Sequence, residues 1–278
     1  MPRVRGLPRF TVCKPVLALV LALLPAAVTA APRIVSINPC VDAILMQVAD
    51  PEQLAAISHY SQDARATSIP LAQARRFKGI GDSAEEVVAL APDLVIAGGH
   101  VAPATVAALR RMNIALLQVG VPASIAESLA QVRRIAAAAG HPERGAALAA
   151  RIAAAVAVAR PGAQAPVPAL IWQGGGLVPG TGTLADELLA VSGFRNMSAA
   201  YGLRMWDVLP LEPLVARPPR VLLSSGGAGA EDRMLAHPVL RGLAGQVSIR
   251  AFPQALLQCG GPTIIAATAR LAQVRRGL

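Results

Sequence analysis

Two distant stretches of this chain are near copies of each other. Glu85 to Gly99 reads EEVVALAPDLVIAGG, and Glu212 to Gly227 reads EPLVARPPRVLLSSGG. Each opens on an acidic residue, passes through a short apolar helical turn to a proline seven residues on, continues as a buried-strand pattern and ends on paired glycines. A unit of this kind used twice predicts two similar α/β lobes, and the cleft between two lobes is where a small molecule binds.

The first thirty residues are set apart from the fold. Arg3, Arg5, Arg9 and Lys14 form a basic lead, Val16 to Val28 is an apolar run short for a bilayer, and Val28-Thr29-Ala30 offers small residues for cleavage. Residues 1–30 therefore read as a secretory signal peptide cut after about Ala30, so the mature chain is expected to be exported. Without its four basic residues the chain keeps 22 Lys and Arg against 16 Asp and Glu. That balance is basic, but the arginines come in scattered pairs such as Arg110-Arg111 and Arg133-Arg134 within helical patterns. No dense basic stripe with interleaved aromatics exists to hold nucleic acid, so none is expected as a partner.

Two cysteines follow the leader, Cys40 and Cys259. An exported chain can join such a pair in a disulfide or keep two partly buried thiols, and spacing alone decides neither. Neither cysteine belongs to a C-x-x-C or a Cys/His cluster, so no structural zinc is expected.

Along residues 31–278 strands alternate with helices. Arg33–Ile37, Leu54–Ile57, Leu94–Ala97 and Ile114–Val119 are apolar strand runs. A helix from about Val41 to Val48 follows the first, and Ser83 to Glu86 and Ser124 to Glu127 have capping-box spacing at two further helix starts. Ser58 to Gly81 is a polar loop without clear periodicity. From Pro142 to about Arg160, Leu148, Ile152 and Val156 recur every fourth residue, which predicts an amphipathic helix nearly 30 Å long. Pro161 to Pro168 is a linker, and the alternation then resumes with Ala169–Trp172, a helix at Leu184–Val191, the second copy of the duplicated unit, a strand near Val247–Phe252 and a last helix from Pro262. The expected architecture is α/β: two α/β lobes joined by a single long α-helix, with a ligand cleft between the lobes. Its parts are an N-terminal lobe at 31–141, a connecting helix and linker at 142–165, and a C-terminal lobe at 166–278.

Five segments in order, RIVSINPCVDAIL, AISHYS, AEEVVALAPDLVIAGG, SIAESLAQVRRIAAAAGHPER and QCGGP, resemble the periplasmic binding proteins of ABC importers for corrinoids, ferric siderophores and haem. The resemblance covers essentially the whole chain after the leader. It implies two α/β lobes on one long helix, a monomer without a cofactor of its own, and a permease in the inner membrane as partner. It also implies that Glu85 and Glu212 dock onto permease arginines, although each also sits where a carboxylate favours a helix dipole. Tyr60 and Trp206 match positions that line the cleft in corrinoid-binding relatives, where a flat amphipathic aromatic covers a macrocycle face.

Strand-end loops should face the cleft as well, because α/β sheets bind ligands at the carboxyl ends of their strands. These are Asn38-Pro39-Cys40, Gly98-Gly99-His100, Trp172-Gln173-Gly174 and Cys259-Gly260-Gly261. Gly98 stands where corrinoid binders use a larger residue, while His59, Tyr60 and His100 are donors suited to haem or ferric iron. Arg65, Arg75, Arg76 and Lys78 could meet an acidic ligand or form a solvated loop.

An exported enzyme is the competing class. The chain has no G-x-S-x-G elbow, no H-E-x-x-H and no P-loop lysine: Gly180-Thr181-Gly182-Thr183 lacks it. No catalytic residue is expected. The reading is a solute-binding protein that captures a corrinoid or ferric chelate, with haem binding or sensing as the alternative.

Overall fold

In the computed structural model, residues 31–226, 237–238, 242–243 and 245–278 are described. The expected signal peptide and Gly227 lie outside them. Strand β1 (Ile34–Ser36) leads through the cap Asn38 into helix α1 (Pro39–Val48), then β2 (Leu54–Ser58). Asn38 ends the strand because its Oδ1 accepts from the amides of Cys40 and Val41, at 2.9 and 3.1 Å, while Pro39 needs no partner at the helix start. Helix α2 (Leu71–Ala74), β3 (Gly79–Ile80), α3 (Ala84–Val88), β4 (Leu94–Gly98), α4 (Pro103–Arg111), β5 (Ala115–Val119) and α5 (Ile125–Ala138) follow. All five strands pair in parallel in the order β3-β2-β1-β4-β5.

The stretch expected as a bare loop, Ser58 to Gly81, holds a 3-10 turn at His59–Gln62, α2 and β3. These pieces are too short to show a period, and β3 exists only because Gly79 and Ile80 find the end of β2. The capping boxes are half formed. Ser83 and Ser124 each accept the amide three residues on, but Glu86 and Glu127 reach past them to the amides of Gly81 and Ala123. Each carboxylate thus fixes the loop before its helix as well as favouring the helix dipole.

Helix α6 (Pro142–Ala159) has 18 residues and is about 27 Å long. Beyond it come β6 (Val167–Trp172), β7 (Leu177–Pro179), α7 (Leu184–Val191), β8 (Phe194–Asn196), β9 (Trp206–Val208), α8 (Leu211–Ala216), β10 (Val221–Ser224), β11 (Ser248–Ala251) and α9 (Thr263–Arg276). The second sheet is also parallel, in the order β11-β10-β6-β8, and β7 and β9 form a separate antiparallel pair. The chain is therefore two α/β lobes on a single long helix.

One apolar cluster runs through both lobes. Ile34 and Ile44 of the first lobe, Ile135 of α5, Ile152 of α6, Ile171 of the second sheet and Leu271 of α9 all belong to it. Within it α5 and α6 approach so closely that a Cβ on Gly145 would collide with the Ala136 methyl. Four tethers add to this apolar contact. Cys40 and Cys259 are joined in a disulfide, the Gly261 amide donates to Ser128 Oγ at 2.7 Å, Gln258 Nε2 donates to the Arg65 carbonyl at 2.9 Å, and the Ile125 amide donates to Glu187 Oε2 at 2.6 Å.

The disulfide closes a loop of 219 residues, and loops of that size lose much unfolded-state entropy on cross-linking. Replacing both residues, Cys40→Ser with Cys259→Ser, should lower the unfolding free energy by about 2–5 kcal/mol. Denaturant unfolding of the oxidised protein and of the double variant measures this. Equal midpoints would show that the bond carries no stability.

Candidate functional site

A cavity of about 750 Å³ opens between the two sheets. Every strand of the first sheet ends at it: Ile37–Cys40 after β1, Tyr60 after β2, Asp82 after β3, Gly98–Val101 at the end of β4, and Val119–Ala123 at the end of β5. The parallel arrangement does this, since it brings all five carboxyl ends to one edge. The second lobe supplies the start of α7 (Gly182 to Leu188), Met205 and Trp206, and Leu256 to Gly260 before α9. Its lining is largely apolar, and its polar side chains include Asn38, Tyr60, Asp82, His100, Gln131 and Gln258.

Ten of the expected ligand residues come together here: Asn38, Pro39, Cys40, Tyr60, Gly98, Gly99, His100, Trp206, Cys259 and Gly260. Trp172, Gln173 and Gly174 do not line it. The Trp172 side chain is fully buried among Leu170, Val178, Leu209 and Leu222. The Gln173 amide donates to the Leu177 carbonyl, and a 3-10 turn at Gly174–Gly176 carries the chain into β7. The carboxyl end of β6 is thus occupied by the β7–β9 pair, and it is this pair that offers Met205 and Trp206 to the cavity.

That arrangement explains the glycine-rich Gly180–Thr183 stretch. The Gly180 amide donates to the Met205 carbonyl, and a Cβ at Gly180 would strike the backbone of Arg204 and Met205. Thr183 then caps α7 by accepting from the Asp186 amide. Met205 sits at a φ of 56°, in the left-handed region that a side chain rarely adopts. It is 61% exposed and Trp206 is 41% exposed, both at the cavity mouth.

Across from them is Tyr60, 53% exposed, in the 3-10 turn that follows β2. Its ring packs at 4.0 Å between centroids on the His59 ring, whose Nδ1 lies 3.0 Å from the Ile80 carbonyl. Ser58 caps the turn by accepting from the Tyr60 amide at 3.3 Å. Arg65 pairs with Asp63 in its own loop at 3.2 Å, and Arg75, Arg76 and Lys78 do not line the cavity. Among the described residues no group of three His, Cys, Asp or Glu side chains could hold a metal ion.

Beneath the Tyr60 turn lies a fully buried acid, Asp42 of α1. Its Oδ2 accepts from the Ser58 amide at 2.9 Å and from Ser61 Oγ at 2.6 Å, and its Oδ1 has no partner among the described residues. Burial pushes the carboxyl up to about 7, against the pull of the nearby Ser36 hydroxyl and of the hydrogen bonds from Ser61 and the Ser58 amide. Sequence reading missed Asp42, which stands in an amphipathic helix like any first-turn acid. It also missed Val119–Ala123, which the strand-end rule would have reached, and Met205, whose backbone conformation has no sequence signal.

Glu85 and Glu212 lie away from the cavity, exposed in the first turns of α3 and α8. Neither carboxylate pairs with a described residue.

Asp42 makes stability depend on pH. With its folded value near 7 against an ordinary 3.8, the native state holds a proton that the unfolded chain releases. Its contribution is full below about pH 4 and is lost as pH rises through 7. The unfolding free energy should fall by about 2–4 kcal/mol between pH 4 and pH 8, and Asp42→Asn should remove that slope. Denaturant melts across this range test it, and an unchanged slope in the variant would assign the dependence elsewhere.

Comparison with known proteins places the geometry in context. The family described as periplasmic binding protein matches residues 34–244. No curated protein matches the chain. Among solved structures, the apo form of the periplasmic heme-binding protein RhuT from Roseiflexus sp. RS-1 is 26% identical, with a TM-score of 0.72 over 87% of this chain and 98% of that one. The periplasmic heme-binding protein HutB of Vibrio cholerae is 19% identical, with a TM-score of 0.71 over 87% and 98%. The periplasmic vitamin B12 binding protein BtuF of Vibrio cholerae is 19% identical, with a TM-score of 0.68 over 88% and 97%.

Proposed function

Because the chain belongs to the periplasmic binding protein family, we propose that it is the solute-binding component of an ABC uptake system and that it captures a planar metal-chelate macrocycle, an iron porphyrin before a corrinoid. The family is one of binding proteins found in the periplasm, not of enzymes. In this reading residues 1–30 are removed after export, and the lobes at 31–141 and 166–278 each supply one wall of the site across the connecting segment 142–165.

The observation that carries the proposal is the pairing of unlike walls across one cavity. The first lobe presents Tyr60, braced on His59, together with His100; the second presents Met205 and Trp206. Phenolate and imidazole suit ferric iron, and the exposed apolar side chains suit the face of a macrocycle. Heme binding by RhuT, the 26% identical neighbour, supports the same choice. The corrinoid reading rests on Trp206, which offers a flat face at a matched position, and on the vitamin B12 binding neighbour.

Hemin and cyanocobalamin, titrated separately into the purified protein, distinguish these readings. Hemin should bind and raise the melting temperature, as a ligand selective for the folded state does. Tyr60→Phe should weaken hemin about tenfold and alter its absorption spectrum, and Trp206→Ala should weaken either ligand. Binding of cyanocobalamin alone would move the assignment to corrinoids, and no binding of either would remove the proposal.

Glu85 and Glu212 are proposed to meet basic residues of the membrane permease, one from each lobe. Exposed charge pairs of this kind chiefly set encounter rate and register, which suits a carrier that docks and departs. The variant carrying Glu85→Ala and Glu212→Ala should keep its ligand affinity and lose most uptake in cells that depend on the system. Unimpaired uptake would leave both acids as ordinary helix-start residues.

A further inference from the structure

Asp42 has a geometry that packing alone does not require. It is fully buried in α1, it faces no cation among the described residues, and one of its oxygens is left without a partner there. An apolar residue of similar size would serve the core at lower cost, since a buried acid loses its hydration without an ion pair to replace it. What the acid does achieve is specific. Oδ2 takes one donor from just before His59 and Tyr60, the Ser58 amide, and another from just after them, the Ser61 hydroxyl. Ser58 in turn caps the Tyr60 amide, and Ser58 and Ser61 are both buried. His59 and Tyr60 are thereby held from below at two points, with the exposed Tyr60 ring at the cavity.

We propose that Asp42 is the positioning residue for Tyr60, gripping the chain on either side of it so that the phenol stands at a fixed place in the ligand cavity. The proposal rests on the reading of Tyr60 as a ligand contact. The grip comes from α1 and the turn alone. Ser58 and Ser61 bring an amide and a hydroxyl to Asp42, while the His59 ring is directed to the Ile80 carbonyl. Asn at position 42 keeps the size and an oxygen able to accept from both donors, but it lacks the charge that Asp42 carries above about pH 7 and puts an NH2 group where Oδ1 has no partner among the described residues, so it holds the two donors more weakly.

A double-mutant cycle on hemin affinity tests this. Asp42→Asn should weaken hemin about tenfold when Tyr60 is present and by less than about twofold in the Tyr60→Phe background, because residues acting through one another are not additive. An equal loss in both backgrounds would overturn the proposal and make Asp42 a general stabiliser. Ser61→Ala removes one of the two gripping donors and should show the same dependence on Tyr60, which keeps the test open if Asp42→Asn fails to fold. A second measurement does not need the ligand. The chain has only two tyrosines, Tyr60 and Tyr201, so tyrosine-labelled protein gives two sets of ring resonances in NMR, and Tyr60→Phe identifies one. Asp42→Asn or Ser61→Ala should shift the Tyr60 resonance and leave that of Tyr201 in place. If the wild type binds no hemin, the functional reading falls and this resonance alone decides: an unmoved Tyr60 signal overturns the proposal, and a moved one sustains the grip.

Discussion

The fold depends on an apolar core that does not stop at the lobe boundary. In many two-lobed arrangements each sheet and its helices form a closed unit, and the lobes swing on flexible strands. Here α6 packs against α5 on one side and α9 on the other, and side chains from both sheets enter the same cluster. Separating the lobes would expose that apolar surface, at roughly 25 cal/mol for each Å². The disulfide from Cys40 to Cys259 and the hydrogen bonds at Ser128, Arg65 and Glu187 then fix the edge of the interface that borders the cavity. A cavity built on such a frame is largely preformed, and a preformed site binds with less loss of conformational freedom.

The two lobes use that frame differently, although the duplicated unit occurs in both. In the first lobe the carboxyl ends of all five parallel strands reach the cavity directly. They bring short loops whose polar groups, from Asn38 to His100, are held by helix caps and turns. In the second lobe the β7–β9 pair covers the end of β6, so the wall there is made from the start of α7, the Met205–Trp206 corner and the segment before α9. The polar donors therefore come mostly from one side and the apolar cover mostly from the other. A flat ligand with a polar or metal centre and apolar faces matches that division.

What was legible in the sequence was whatever leaves a periodic or local chemical trace. Strand β10 at Val221–Ser224 and helix α7 at Leu184–Val191 fall where their patterns place them, and Ser83 and Ser124 cap as their side chains require. The strand-end rule found the loops after β1 and β4, and the family resemblance pointed to Tyr60 after β2. It failed at Trp172 because a strand end can be covered by a later part of the chain, and three-residue strands such as β7 and β9 are too short to show a period. Asp42 was hidden for a different reason. Its meaning lies in Ser58 and Ser61, which only the parallel pairing of β1 with β2 brings beneath it.

Two departures from local rules stand at the cavity, one behind each wall. Among the described residues three non-glycine residues have positive φ: Ala91, Asn113 and Met205. Asn113 directly follows the cap of α4, where the left-handed conformation is common and Asn tolerates it. Ala91 lies in the turn that closes α3 before Pro92. Met205 ends no helix. It is held by the backbone of Gly180 and Thr181, and the result of holding it there is a thioether beside Trp206 at the cavity mouth. Asp42 is the matching departure on the other wall, a buried acid with an unpartnered oxygen beneath Tyr60. Backbone strain and unpaired buried polarity persist only where the surrounding structure enforces them, and they gather at functional sites. Here one of each stands beside an aromatic side chain of the cavity, Met205 next to Trp206 and Asp42 beneath the Tyr60 turn, and each fixes part of a wall between which the ligand is to be held.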